Sequence, residues 1–194
     1  MQSLNQLFTH FENYLPLDEV EKKELSHRAV ERNIKRRQFI LQEGDVCKYF
    51  TFVISGCFKM YGVDKNGTDH IIQFASENEW IAEIGSFYSN KPSRLYIEAM
   101  EPSVILQIER LNLFHLYSNF PKFDRNFRVI MENKVIDLEN RILQNISSTA
   151  EERYQSFLEQ YPQLANRIPN TQIASYLGIT PEFLSKIRNN IAKK

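Results

Sequence analysis

The chain has 194 residues, 42% hydrophobic and 25% charged, with 24 Lys plus Arg against 24 Asp plus Glu. That length fits one large domain or two small ones of roughly 130 and 50 residues, and it excludes a coreless binding peptide. The composition excludes a disordered tail, no apolar run approaches the roughly 20 residues that cross a bilayer, and the first residues carry no export-signal pattern. A cytoplasmic globular protein with no membrane partner is expected.

Cys47 and Cys57, with four scattered histidines, make neither a disulfide framework nor a metal-ligand pattern, so no metal site is expected. The net charge of zero hides an asymmetry. From Pro162 to Lys194 the chain carries Arg167, Lys186, Arg188, Lys193 and Lys194 against Glu182 alone, a local charge of +4. A positive end on a mildly acidic body suits a polyanionic partner.

In chain order, Leu4, Leu7, Phe8 and Phe11 recur at helical spacing, and Pro16 opens a second short helix whose Leu17, Val20 and Leu25 face a common core. From Ile34 to Glu109 the runs FIL, YFTFVI, CFKMYGV, HIIQF, WIAEI, LYIEAM and SVILQI alternate with turn residues. This pattern predicts an antiparallel sandwich or barrel enclosing a core or a pocket. Asp64-Lys65-Asn66-Gly67 is a hairpin loop in which Asn66 and Gly67 supply positive φ.

Residues 111–161 are helical by pattern. After Pro121, the residues Phe123, Phe127, Met131, Val135, Leu138, Ile142 and Ile146 recur every three or four positions, while Val129, Ile136 and Leu143 repeat every seven. Two apolar tracks on one helix of about 25 residues leave one for the chain's own core and one for the same helix of a second copy. A homodimer through Phe127, Met131, Val135, Leu138 and Ile142 is expected. Thr149 and Glu152 have capping-box spacing and open a further helix, with Tyr154, Phe157, Leu158 and Tyr161 inward and Pro162 ending it.

The segment IPNTQIASYLGITPEFLSKIRNNIAKK is the most specific. Ile173, Ala174 and Leu177 face inward on a helix from Thr171, Gly178 makes the reversal, and Thr180-Pro181 starts a second helix with Leu184, Ile187 and Ile191 inside. This is a helix-turn-helix whose outer residues are suited to a DNA groove. Its candidate DNA contacts are Thr171, Thr180, Pro181, Glu182, Ser185, Lys186, Arg188 and Asn189, with Lys193 and Lys194 reserved for phosphate.

The order of sandwich, long helix and helix-turn-helix resembles the Crp/Fnr family of bacterial transcription regulators. The marks are Gly44-Asp45 followed by Phe52 to Gly56, the run Glu83-Ile84-Gly85-Ser86-Phe87, and Ile173-Ala174 through Gly178 to Pro181-Glu182 and Lys186. The resemblance implies an α+β fold. An N-terminal antiparallel double-stranded β-helix (jelly roll) sensor would occupy residues 1–121, a dimerisation helix 122–147 and a C-terminal winged helix-turn-helix 148–194. It also implies duplex DNA with a palindromic operator, a second copy of the chain, and RNA polymerase as partners.

Carried over by position, Glu83 matches the glutamate that accepts a ribose hydroxyl, and Ile84, Gly85 and Ser86 match the phosphate-binding turn. Ser93 and Arg94 stand where the family's nucleotide binders have arginine and then serine or threonine, and Ala82 replaces a glycine. A pocket that does not bind cyclic AMP in the usual way is therefore expected, with any small-molecule or nucleotide effector unidentified. Two arrangements stay open. A bulge restores Arg94 to the phosphate, or Glu83 pairs with Arg94 or caps neighbouring backbone while Phe74 and Trp80 fill the space.

The family's iron-sulfur sensors use cysteines near the N-terminus, and none precedes Cys47 here. A barrel enzyme would need clustered ligands where the strand region offers only His70 among the histidines, and a protein-binding adaptor would need an apolar or acidic last helix.

Overall fold

The computed structural model describes residues 2–191, which leaves Lys193 and Lys194 outside the described residues. The N-terminal helices are α1 (Gln2–Glu12) and α2 (Glu19–Arg28). Asp18, not Pro16, starts the second: its carboxylate accepts from the backbone of Val20 and Glu21, and Glu21 answers by accepting from Asp18 N. That capping box turns Val20 to solvent, 63% exposed, while Leu17 and Leu25 are buried as expected.

Among the described residues eight strands follow: β1 (Ala29–Ile34), β2 (Phe39–Leu41), β3 (Tyr49–Ser55), β4 (Phe58–Val63), β5 (Asp69–Ala75), β6 (Trp80–Ile81), β7 (Tyr96–Ala99) and β8 (Ser103–Glu109). They form two four-stranded sheets, β1-β8-β3-β6 and β2-β7-β4-β5. The sandwich expected from the alternating runs is present, except that WIAEI yields only two strand residues before a helix, α3 (Ile84–Ser89), begins. Both cysteines sit just before strands rather than in them and are buried. Burial pushes the Cys47 thiol pKa up, which makes it a packing group rather than a nucleophile.

The helices after the strands are α4 (Arg110–Asn119), α5 (Pro121–Ser147), α6 (Ala150–Gln160), α7 (Asn170–Leu177) and α8 (Pro181–Ile191). The chain divides into two compact units, Met1–Tyr61 with Phe74–Glu132, and Gly62–Gln73 with Asn133–Lys194.

In the first unit, strand alternation sorts side chains by face. Phe50 and Phe52 oppose Ile108 and Leu106 on one face of their sheet, and Thr51 and Val53 oppose Gln107 and Ile105 on the other. The first face carries an aromatic layer. Trp80 lies 5.3 Å from Phe50, 4.9 Å from Phe52 and 5.0 Å from Phe127, ring centre to ring centre, with Phe11 alongside. Trp80 is thus committed to the helices, donating to His10 Nε2 at 3.2 Å, and does not fill a sandwich pocket. On the other face Gln107 donates to Thr51 Oγ1 at 3.1 Å and accepts from Arg32 at 2.7 Å. The start of α5 is tied in by Asn126, which is fully buried and exchanges two hydrogen bonds with the Leu15 backbone.

The apolar tracks of α5 divide along its length rather than around it. Phe123, Phe127 and Ile130 are buried in the first unit, whereas Val135, Ile136, Leu138, Ile142, Leu143 and Ile146 are all exposed, Ile146 at 80%. Phe127 therefore leaves the expected dimer set: at 2% exposure, packed by Phe11, Phe50, Trp80 and Tyr117, it has no surface for a second chain.

In the second unit, the Asp64–Gly67 turn forms with Gly67 at φ 79°, but Asn66 keeps a negative φ. Asp64 does the remaining work, accepting from the backbone of Asn66 and Thr68. Thr149 caps α6 with Glu152 as expected. Tyr154, Phe157, Tyr161 and Tyr176 form an aromatic core. No wing is seen, because among the described residues no strand follows Glu109. The α6–α7 link is organised by short-range turn bonds such as Leu164 N to Tyr161 O and Arg167 N to Leu164 O.

Candidate nucleic-acid interface

The reversal between α7 and α8 is built as its residues dictate. Gly178 ends α7 in the left-handed region at φ 66°, with Ile179 N returning to Ala174 O at 3.0 Å. Thr180 Oγ1 accepts from Phe183 N at 3.2 Å, and Pro181 takes the first helical position, where no N–H is needed. Ala174, fully buried, sits where the two helices meet.

Leu184 and Ile187 are buried beneath α8. That leaves Glu182, Ser185, Lys186 and Asn189 exposed on its opposite side, with Thr171 and Thr180 exposed beside them and Pro181 half-buried. A carboxylate, a hydroxyl, an amine and an amide on one helical face together supply acceptors and donors for base edges. Arg188 is held differently from the other candidates. Its guanidinium donates to Asn170 Oδ1 at the start of α7, so it braces the two helices and presents its remaining donors near the Thr171 end. Phe183 escaped the sequence reading. It is 49% exposed in the first turn of α8, between the outward Glu182 and the inward Leu184, a position from which the sequence gives no sign of its exposure.

The cassette in the first unit closes on itself. Glu83 is the N-cap of α3, and its two carboxylate oxygens accept from Gly85 N at 2.8 Å and Ser86 N at 2.9 Å. Ser86 Oγ donates to Lys91 O and accepts from Cys47 N. Ser93 is buried, its hydroxyl shared between the backbone O and N of Leu95 and its own backbone pairing with Gly44 and Asp45. Arg94 and Ile84 are exposed. Of the arrangements left open by the sequence, the one in which Glu83 caps neighbouring backbone is the one observed; no pairing of Glu83 with Arg94 forms.

Residues 31–120 match the cyclic nucleotide-binding domain model. The chain is 26% identical over 171 residues to the regulatory protein HlyX of Actinobacillus pleuropneumoniae, covering 82% of this chain and 70% of HlyX. It is 23% identical over 167 residues to the transcriptional activator protein Anr of Pseudomonas protegens, covering 80% of this chain and 68% of Anr. The structure of FixK2 from Bradyrhizobium japonicum superposes with a TM-score of 0.76 at 20% identity, covering 85% of each chain.

The cassette residues do not fit a cyclic nucleotide as they stand. The Glu83 carboxylate and the N–H groups of Gly85 and Ser86 satisfy one another, and Lys91 and Arg94, the cations flanking Ser93, are both exposed. With the sandwich, the long helix and the helix-turn-helix in this order, the chain shares the fold of FixK2, carries a match to the cyclic nucleotide-binding domain over residues 31–120, and is similar in sequence to the regulatory protein HlyX and the transcriptional activator Anr.

Proposed function

We propose that this chain is a DNA-binding transcription regulator of the Crp/Fnr family that works as a homodimer reading a palindromic operator in the cytoplasm, with α8 of each copy in a major groove and the cassette unresponsive to cyclic AMP. The observation that carries the reading is the outward set Glu182, Ser185, Lys186 and Asn189 on a helix whose inner side buries Leu184 and Ile187, with Ile191 half-buried. Val135, Leu138 and Ile142, with half-buried Met131 nearer the sandwich, supply the surface on which a second copy of α5 would pack. Such symmetry sets two reading helices about one duplex turn apart. RNA polymerase is the further partner that the naming of Anr as a transcriptional activator supports.

The test is a fixed-salt titration on a duplex selected by the protein from a random pool and on an unrelated duplex. Lys186→Ala is expected to weaken the selected duplex by about 1–3 kcal/mol and the unrelated one little. Equal losses on both would make Lys186 a phosphate contact, and absence of binding at low salt would remove the reading altogether. Replacing Lys193 or Lys194 is expected to weaken both duplexes alike.

A further inference from the structure

We propose that Phe183 is a specificity residue that reads the 5-methyl group of a thymine in the major groove. The inference rests on the DNA-reading role proposed for α8 and extends it to a contact without hydrogen bonds.

The backbone at Phe183 is fixed, because its N–H is the donor that Thr180 Oγ1 caps. Its side chain is far more open than those packed under α8, where Leu184 is fully buried and Ile187 is 5% exposed. With half its surface in water, the ring stacks on no other ring among the described residues. One helical turn on, Lys186 projects along the same side, and Glu182 precedes it, so the aromatic ring flanks the two side chains best suited to a G·C pair. Base edges in the major groove offer donors and acceptors at every pair but a single apolar group, the thymine methyl, and phenylalanine is among the side chains that meet it. Burying methyl and ring together removes apolar surface from water that neither can shed alone.

The experiment uses the full chain and a duplex that it selects from a random pool, made once with thymine and again with uracil at each thymine in turn, which deletes only the methyl group. The wild-type protein is expected to bind the uracil duplex about threefold to tenfold more weakly at one position per half-site. Phe183→Ala is expected to bind the thymine duplex more weakly by a similar factor and to show no thymine preference at that position, while Phe183→Leu retains part of it. Unchanged melting of both variants establishes that they fold. Equal wild-type affinity for thymine and uracil duplexes, or an undiminished thymine preference in Phe183→Ala, overturns the proposal while leaving DNA reading intact. Failure to select any sequence overturns the DNA-reading role itself, and this inference with it.

Discussion

The guanidinium of Arg141 lies over the ring of Tyr176, 4.0 Å from its centre, and donates to the Tyr176 carbonyl at 2.9 Å. The same group also donates to the carbonyls of Ile71 and Ile72, so one side chain on α5 holds the β4–β5 hairpin and α7 together. Ser175 reinforces this grip by donating to Asp69 O at 2.6 Å. Charge-assisted bonds to carbonyls that have given up water are individually worth about 1.5–3 kcal/mol, and stacking on the ring adds to them. Arg141→Ala is expected to destabilise the second unit by about 2–4 kcal/mol, and Arg141→Lys to recover less than half, because an ammonium has no planar fork. Hydrogen-exchange protection at residues 69–73 and 174–177 measures it; unchanged protection in Arg141→Ala would contradict the assignment.

Gly56 is expected to tolerate no side chain. It adopts φ +98°, and a Cβ there would stand 2.0 Å from Ser103 Oγ and 2.8 Å from Ser103 Cα. Since backbone must shift as well as a side chain, Gly56→Ala is expected to cost about 3 kcal/mol or more. Gly44→Ala meets no atom within 4 Å and should cost only the strain of its positive φ. Melting of the two variants side by side separates crowding from conformation.

These two glycines also show how far the fold was legible in the sequence. Turn residues and alternation are local, so the strands, the Thr149 cap and the Gly178 reversal could be read directly. What lay beyond reach was set by partners distant in the chain. Phe127 was claimed by Phe11, Phe50 and Trp80, none of them near it in sequence, whereas Val20 turned outward through a local cap at Asp18 that the neighbouring Pro16 masked. In the reading helix the polar candidates were legible from helical spacing. Phe183 was not, since an aromatic residue beside a buried leucine looks like core until its exposure is known.

Lowering the pH is expected to loosen the aromatic layer of the first unit. Burial holds the His10 imidazole at about 4, below its ordinary 6.5, and its Nε2 must stay unprotonated to accept from Trp80. A base with a depressed folded pKa contributes its full stability above 6.5 and loses it as the pH falls toward 4. Discounted for partial solvent access, the loss is on the order of 2 kcal/mol. Trp80 is the only tryptophan, so its fluorescence in urea titrations between pH 7.5 and 4 reports the change. His10→Asn should show a smaller pH dependence than wild type; identical slopes would rule this cause out.

The two halves of α5 should respond oppositely to mutation. Ile142→Asp places a charge on a residue that is 59% exposed, so it should leave monomer folding intact while abolishing dimers and operator binding in sedimentation and titration experiments. Phe127→Ala empties a packed site and should cost about 3–5 kcal/mol of stability with no direct effect on association. Dimers that persist in Ile142→Asp would move the interface elsewhere.

Millimolar cyclic AMP is expected to leave the melting temperature unchanged. A ligand at a hundred times its Kd would add about 2.7 kcal/mol, which is easily seen. Binding would require Glu83 to release the N–H groups of Gly85 and Ser86, ending a cap worth about 1 kcal/mol, while the arginine available to offset the cost, Arg94, is exposed to water. Glu83→Ala should therefore lower stability by about that amount and leave the response to cyclic AMP flat, whereas a shift in wild type that Glu83→Ala abolishes would mean the carboxylate does turn to a ribose. Arg94→Ala should have no effect on either quantity, because its side chain is exposed and makes no ion pair with the described residues.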